Sequence, residues 1–211
     1  MSETVLLVGG GGREHAIARA IARSSQEPEL VACAGNRNPG IAALASTFET
    51  VEETDADAVL SIAEERGADI AVIGPEAPLA AGVADALTEA GIYAFGPRAE
   101  LARIETDKAF QRRFMRDHDI PGCPTFEVFD DATAAADYVE SVAGDVAVKP
   151  TGLTGGKGVR VTGDQVSKPE AADYIRDSDY DAWVIEERLV GEEFTVQAVV
   201  ANGDVRTTPA I

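Results

Sequence analysis

Residues 145–162 constrain the fold more than any other stretch. They read as a short apolar strand ending in Lys149-Pro150, a loop that sets Gly152, Gly155, Gly156 and Gly158 around Lys157, and a returning Val-Arg-Val strand. Glycine lets a backbone approach an anion closely and leaves its N–H groups free to point at it. Lysine is scarce: the 211 residues hold only Lys108, Lys149, Lys157 and Lys168, and two of these four fall here. The layout is that of a hairpin folded over nucleotide phosphates, with Lys149 neutralising the α- or β-phosphate and Lys157 carried on a lid. Such a lid suits a site that must keep water from a reactive intermediate. It is not a P-loop, which needs G-x-x-x-x-G-K, then Ser or Thr, then a helix. Here Thr151 stands at the first glycine position, Gly158 follows the lysine and a strand comes next.

The formal net charge of −19 argues against a nucleic-acid partner, which needs a basic face. Dense carboxylates with so little lysine fit a well-solvated surface and, more sharply, adaptation to high salt, where screening removes their mutual repulsion. Cys33 and Cys123 lack metal-ligand spacing, and His15 and His118 are the only histidines. No signal-type run opens the chain, and no apolar stretch approaches the length of a membrane span. A cytoplasmic protein with no membrane partner is expected.

Strands over residues 5–8, 30–34, 69–73 and 93–95 alternate with helices over 13–23, 56–66 and 79–90. That order predicts a parallel sheet with right-handed crossovers over residues 1–105. The pattern then changes. Helices are expected over 107–118, 132–142 and 169–176, and strands over 125–129, 145–149, 159–162 and 183–187. Residues 194–200 and 205–210 read as antiparallel strands joined by Asn202-Gly203. The last strand runs to Ile211 with no polar tail, so the chain is expected to be cut from something longer.

A second glycine cluster, Gly9-Gly10-Gly11-Gly12-Arg13-Glu14-His15, joins a strand to a helix. Its free N–H groups suit an anion, and Arg13 adds a two-pronged partner. A dinucleotide fingerprint fails here: no G-x-G-x-x-G/A frame fits, and the second strand lacks a terminal acidic residue for a ribose. Glu14 either grips hydroxyls or an amine on the ligand or adds favourable charge at the helix start. His15 reads as structural rather than catalytic. Glu76 follows a strand's carboxyl end, where open α/β sheets bind ligands. Further on, an apolar strand runs into Glu186-Glu187-Arg188-Leu189, and Glu193 follows Glu187 by six residues. A connector of that kind can read an adenine edge with its backbone and hold ribose hydroxyls with a carboxylate.

Together these pieces resemble the ATP-grasp ligases, and among them the phosphoribosylamine–glycine ligase family. The matching residues are 9–15, 36–40, 74–79, 95–97, 108–110, Lys149-Pro150 with 155–159, and 186–193, in family order over nearly the whole chain. The resemblance implies an α/β protein: an N-terminal open parallel, Rossmann-like domain (1–105), the start of an ATP-grasp domain (106–124), its lid (125–188) and the first strands of a larger subdomain (189–211), left incomplete. It implies ligation of glycine to 5-phosphoribosylamine at the expense of ATP, through glycyl phosphate, near the start of purine assembly. Lys108, Lys149, Gly155, Gly156, Lys157 and Gly158 would meet ATP phosphates. Glu186, Glu187 and Leu189 would frame adenine, and Glu193 the ribose. Gly10, Gly11, Gly12, Arg13 and Glu14 would hold the phosphoribosylamine, with Asn36, Gly40 and Glu76. Ligands for Mg²⁺ (or Mn²⁺) are expected after residue 211, so no metal ligand is assigned here. The missing C-terminal half is a possible partner, and residues 1–211 alone are expected to be inactive. Two other readings remain: a non-catalytic nucleotide- or phosphoribosyl-binding module, and a nicotinamide-dependent oxidoreductase.

Overall fold

The computed structural model describes residues 2–152, 154 and 157–211. Its first half consists of β1 (Thr4–Val8), α1 (Gly12–Ile21), β2 (Glu29–Ala34), α2 (Pro39–Ala42), β3 (Thr47–Thr50), α3 (Ala56–Glu65), β4 (Ile70–Ile73), α4 (Glu76–Ala80), α5 (Val83–Glu89) and β5 (Tyr93–Phe95). The five strands form one parallel sheet in the order β3-β2-β1-β4-β5. β1 lies at its centre and is covered on both faces. Leu6 and Val8 join Val31, Cys33, Val59 and Leu87 in one core, while Leu7 joins Ala18, Ala32 and Ile41 in the other. Burial on both faces is why β1 reads as an unbroken apolar run rather than an alternation.

α6 (Ala99–Thr106) and α7 (Lys108–Asp117) lead into the second half. There β6 (Phe126–Phe129), α8 (Ala132–Ser141), β7 (Val146–Pro150), β8 (Arg160–Val161), α9 (Lys168–Arg176) and β9 (Trp183–Glu187) follow. The four strands form an antiparallel sheet in the order β6-β9-β7-β8. Ala135, Ala136 and Val139 of α8 and Ala171, Ala172 and Ile175 of α9 pack on Val146, Val148, Trp183 and Ile185. Small residues on both helices let them lie close to each other and to the sheet. β10 (Ala198–Ala201) and β11 (Asp204–Thr207) pair only with each other among the described residues. Asn202 and Gly203 both take positive φ, 51° and 83°, as a two-residue type I′ turn requires.

The sequence-based expectation of an open parallel α/β unit followed, after about residue 105, by a unit of different pattern agrees with this architecture, and the second unit's sheet proves antiparallel. Several details differ. The single helix read over 79–90 is two, because Gly82 takes a left-handed φ of 85° between α4 and α5. α4 also starts earlier, at Glu76. Within the 36–40 loop, Asn38 caps α2 by accepting from the N–H groups of Gly40 and Ile41. β3 and α6 were not anticipated: β3 is a short, half-exposed edge strand, and α6 has no side-chain cap to announce it. The strands read over 194–200 and 205–210 shorten to β10 and β11, although Thr195 and Ile211 still exchange backbone hydrogen bonds of 2.9 and 3.0 Å.

Candidate functional site

Two separate places gather the residues singled out from sequence. The first is the crevice at the carboxyl ends of β1, β2 and β4. The chain proceeds outward from β1 to β2 and β3 on one side and to β4 and β5 on the other, so the sheet order reverses beside β1. Open α/β sheets take their ligands at such a point. Gly10, Gly11 and Gly12 form its floor, and Gly12 opens α1. Asn36 and Asn38 turn their amides toward the Gly10 carbonyl, at 3.5 and 3.1 Å.

Glu14 is buried against this floor. Its Oε2 accepts from the Gly11 N–H at 2.8 Å, while Oε1 is buried with no hydrogen-bond partner. Gly74 makes room for it, since a Cβ there would come within 2.2 Å of Glu14 Oε1. Arg13, mostly exposed, reaches Glu14 at 3.8 Å and Glu76 at 3.5 Å. Arg13 thus lies beside two carboxylates at the start of α1, where the Gly11 N–H is already taken by Glu14. Gly40 leaves room for the His15 ring, which a Cβ at this position would meet. Cys33 is fully buried. Burial, then the charges of Glu53 and Glu49, push its thiol up to about 12.

The second place lies between α7 and the antiparallel sheet. Asp107 caps α7 by accepting from the Phe110 N–H, which fixes Lys108 as the first helical residue. Lys108 Nζ donates to the Gly152 carbonyl at 2.7 Å. Lys149 projects from β7 and pairs with the buried Glu186 of β9. Glu186 is held from its other side by Arg112, with Nε 2.6 Å from Oε2 and Nη2 3.2 Å from Oε1. Burial pushes the Lys108 amine down, helped by the nearby positive charge of Lys149 and opposed by Asp107. Burial alone would raise the Glu186 carboxyl, but hydrogen bonds from Arg112 and Lys149 outweigh it and hold the group below the usual range. Lys108, Lys149 and Arg112 thus bring three cations around one buried carboxylate, which makes this a candidate anion site.

A cleft of about 470 Å³ opens here, lined by Lys149, Val159, Glu186, Glu187, Leu189 and Glu193 among others. A smaller one of about 210 Å³, lined by Lys108 and Arg112, adjoins it through Lys149, Val159 and Glu186. The carboxylate of Glu187 accepts from the Thr125 N–H at 2.8 Å, and that of Glu186 is engaged as above. Both acidic side chains at the end of β9 are thus engaged, while the Leu189 side chain beyond them is exposed. Gly158 is buried against Pro150 and Thr154 with no space for a side chain. Lys157 is exposed and lines neither cleft. Gly155 and Gly156 lie outside the described residues. Sequence reasoning missed Arg112. The available signal was its place one turn after Lys108, which puts both on one face of α7. Among the described residues, no group of three or more His, Cys, Asp or Glu side chains converges as a metal site would require.

An α/β crevice followed by a lysine cleft under an antiparallel sheet defines the class: an ATP-grasp protein with a ligand-binding α/β domain ahead of it. Residues 3–105 match the family model described as phosphoribosylglycinamide synthetase, N domain. Residues 106–211 match phosphoribosylglycinamide synthetase, ATP-grasp (A) domain. The chain is 54% identical over 209 residues to a phosphoribosylamine–glycine ligase of Methanococcoides burtonii, covering 98% of this chain and 48% of that protein. It superposes on a crystal structure of phosphoribosylamine–glycine ligase from Thermotoga maritima with a TM-score of 0.76 at 27% identity, covering 98% of this chain and 49% of that one. An N5-carboxyaminoimidazole synthetase from Staphylococcus aureus, solved with ADP, shares the fold with a TM-score of 0.73 at 16% identity, over 100% of this chain and 54% of that one. This chain belongs to the phosphoribosylglycinamide synthetase family, whose curated relatives are named phosphoribosylamine–glycine ligases. It spans about half the length of the curated relatives it matches.

Proposed function

We propose that the chain supplies the nucleotide-phosphate and phosphoribosyl sites of a ligase joining glycine to 5-phosphoribosylamine. A glycine carboxylate oxygen attacks the γ-phosphorus of ATP, and ADP leaves. The amine of phosphoribosylamine then attacks the acyl carbon of glycyl phosphate. Phosphate leaves, the nitrogen loses a proton, and glycinamide ribonucleotide is formed. Activation is needed because a free carboxylate does not form an amide at neutral pH.

In this reading Lys108, Lys149 and Lys157 neutralise ATP phosphates, with Gly155, Gly156 and Gly158 allowing close approach. The backbone at Glu186 and Glu187, with Leu189, frames adenine, and Glu193 takes the ribose hydroxyls. Gly10, Gly11, Gly12 and Arg13 hold the phosphate of phosphoribosylamine, while Asn36 and Gly40 shape the loop beside it. Glu14 and Glu76 take its hydroxyls or amine. Residues 1–105 form the substrate domain. Residues 106–124 open the ATP-grasp domain, 125–188 form its lid, and 189–211 begin its larger part. Mg²⁺ (or Mn²⁺), when bound, shields phosphate charge. On the family resemblance its ligands are expected after residue 211, and none is assigned within 1–211.

One observation carries the reading: Lys108 and Lys149, drawn from a helix and a strand far apart in sequence, line adjoining clefts. Titration tests it. ADP should bind saturably, and NADH, followed by its fluorescence, should not. Saturable binding of NADH alone would favour the oxidoreductase reading. We also propose a cytoplasmic, salt-adapted protein with small-molecule partners and no nucleic-acid or membrane partner. At a net charge of −19, screening should stabilise the fold, so the melting temperature should climb as KCl is raised to molar levels. A flat or falling melting temperature contradicts salt adaptation.

A further inference from the structure

We propose that Arg112 is a positioning residue that sets the availability of Lys149 to phosphate, acting through Glu186; the proposal rests on the nucleotide reading above. The Glu186 side chain is only 7% exposed, and two cations share it. Its Oε2 accepts from Arg112 Nε, and its Oε1 is contacted by both Arg112 Nη2 and Lys149 Nζ. One carboxylate needs one cation for neutrality, so the second is surplus.

The two cations are not equivalent. Arg112 presents a planar fork that grips both carboxylate oxygens, and its remaining Nη1 is fixed by Gln111 Oε1 at 2.9 Å. Lys149 is a single point charge on a flexible stem, and it lines both clefts. Lys149 is therefore the partner able to leave. When a polyphosphate enters, Lys149 turns from Glu186 to a phosphate oxygen, and the Arg112 fork keeps Glu186 ionised and in place. Without the fork, departure of Lys149 would strand a buried carboxylate, which is strongly unfavourable. Glu186 would then hold Lys149 back and compete with the ligand.

The experiment measures binding of inorganic tripolyphosphate, which lacks a base and so reports on the phosphate cleft alone. ADP is titrated in parallel. Arg112→Gln should weaken tripolyphosphate about tenfold, and Arg112→Lys, which keeps charge but loses the fork and guards against a folding failure, by less. In a Lys149→Ala, Glu186→Gln background neither change should weaken binding further, because both the lysine being controlled and the carboxylate that holds it are gone. Adding Glu186→Gln to Arg112→Gln should recover most of the lost affinity, since it removes the competitor. A merely structural Arg112 gives the opposite pattern: equal losses with or without Lys149 and Glu186, and no recovery with Glu186→Gln. That pattern, with wild-type binding intact, overturns this proposal alone. Failure of the wild-type chain to bind either tripolyphosphate or ADP overturns the nucleotide reading and this proposal with it.

Discussion

Lys149→Ala should weaken ATP and ADP binding by one to two orders of magnitude. Each charge-assisted contact to a phosphate oxygen is worth about 1.5–3 kcal/mol, and the loss occurs in a cleft partly removed from water. Lys108→Ala should lose affinity in the same range. Its amine already lies beside another cation, so its charge is better compensated once phosphate arrives. Lys157→Ala should also weaken binding. Exposed in the absence of ligand, Lys157 has more side-chain freedom to lose, and its effect should fall at the low end. Lys168→Ala is the control, because Lys168 opens α9 and donates to the Val142 carbonyl, lining neither cleft. Calorimetric titration reads all four. A loss at Lys168 equal to that at Lys149 would remove the basis for placing phosphate in the lysine cleft.

A larger effect is expected for turnover. Residues 1–211, given glycine, phosphoribosylamine, ATP and Mg²⁺, should release no ADP above the no-enzyme rate. An acyl phosphate survives only where water is excluded. Here the cleft is open along the connector: Leu189 is 67% exposed and Val190 84%. β10 and β11 are exposed throughout, with Val199, Val200 and Val205 uncovered. A two-stranded hairpin without further partners is marginal in water. Supplying the C-terminal half of a relative, fused or as a separate chain, should restore ADP release by covering this edge. Ligation by residues 1–211 alone, at the rate of a full-length relative, would overturn the requirement for a second wall. Binding without turnover, even with the added half, would support the non-catalytic module instead.

Much of this fold was legible because its elements carry strong local signals. β1, buried on both faces, is a run of apolar residues closed by glycines, and the second hairpin turns on Asn-Gly. What escaped lacked such signals. β3 is a half-exposed edge strand stabilised by pairing with β2 rather than by its own pattern. Gly82 looks tolerable inside a helix until its left-handed φ breaks α4 from α5. Two glycines in the segments singled out from sequence mark close approach of a side chain, Gly74 to Glu14 and Gly40 to His15. Arg112 was missed for a physical reason. An arginine on an amphipathic helix reads as solvated, and its partner Glu186 lies 74 residues away, joined to it only by tertiary packing. The same packing shows that the Glu186 side chain is committed to cations, which its place in an acidic connector could not show.

The most direct test is a crystal structure of residues 1–211 with ADP bound. The phosphates should lie within hydrogen-bond distance, about 3 Å, of Lys108 and Lys149 Nζ, with Lys149 turned from Glu186 and adenine against the backbone near Leu189. ADP seated instead on Gly10–Gly12 at the end of β1, with the lysine cleft empty, would contradict the account.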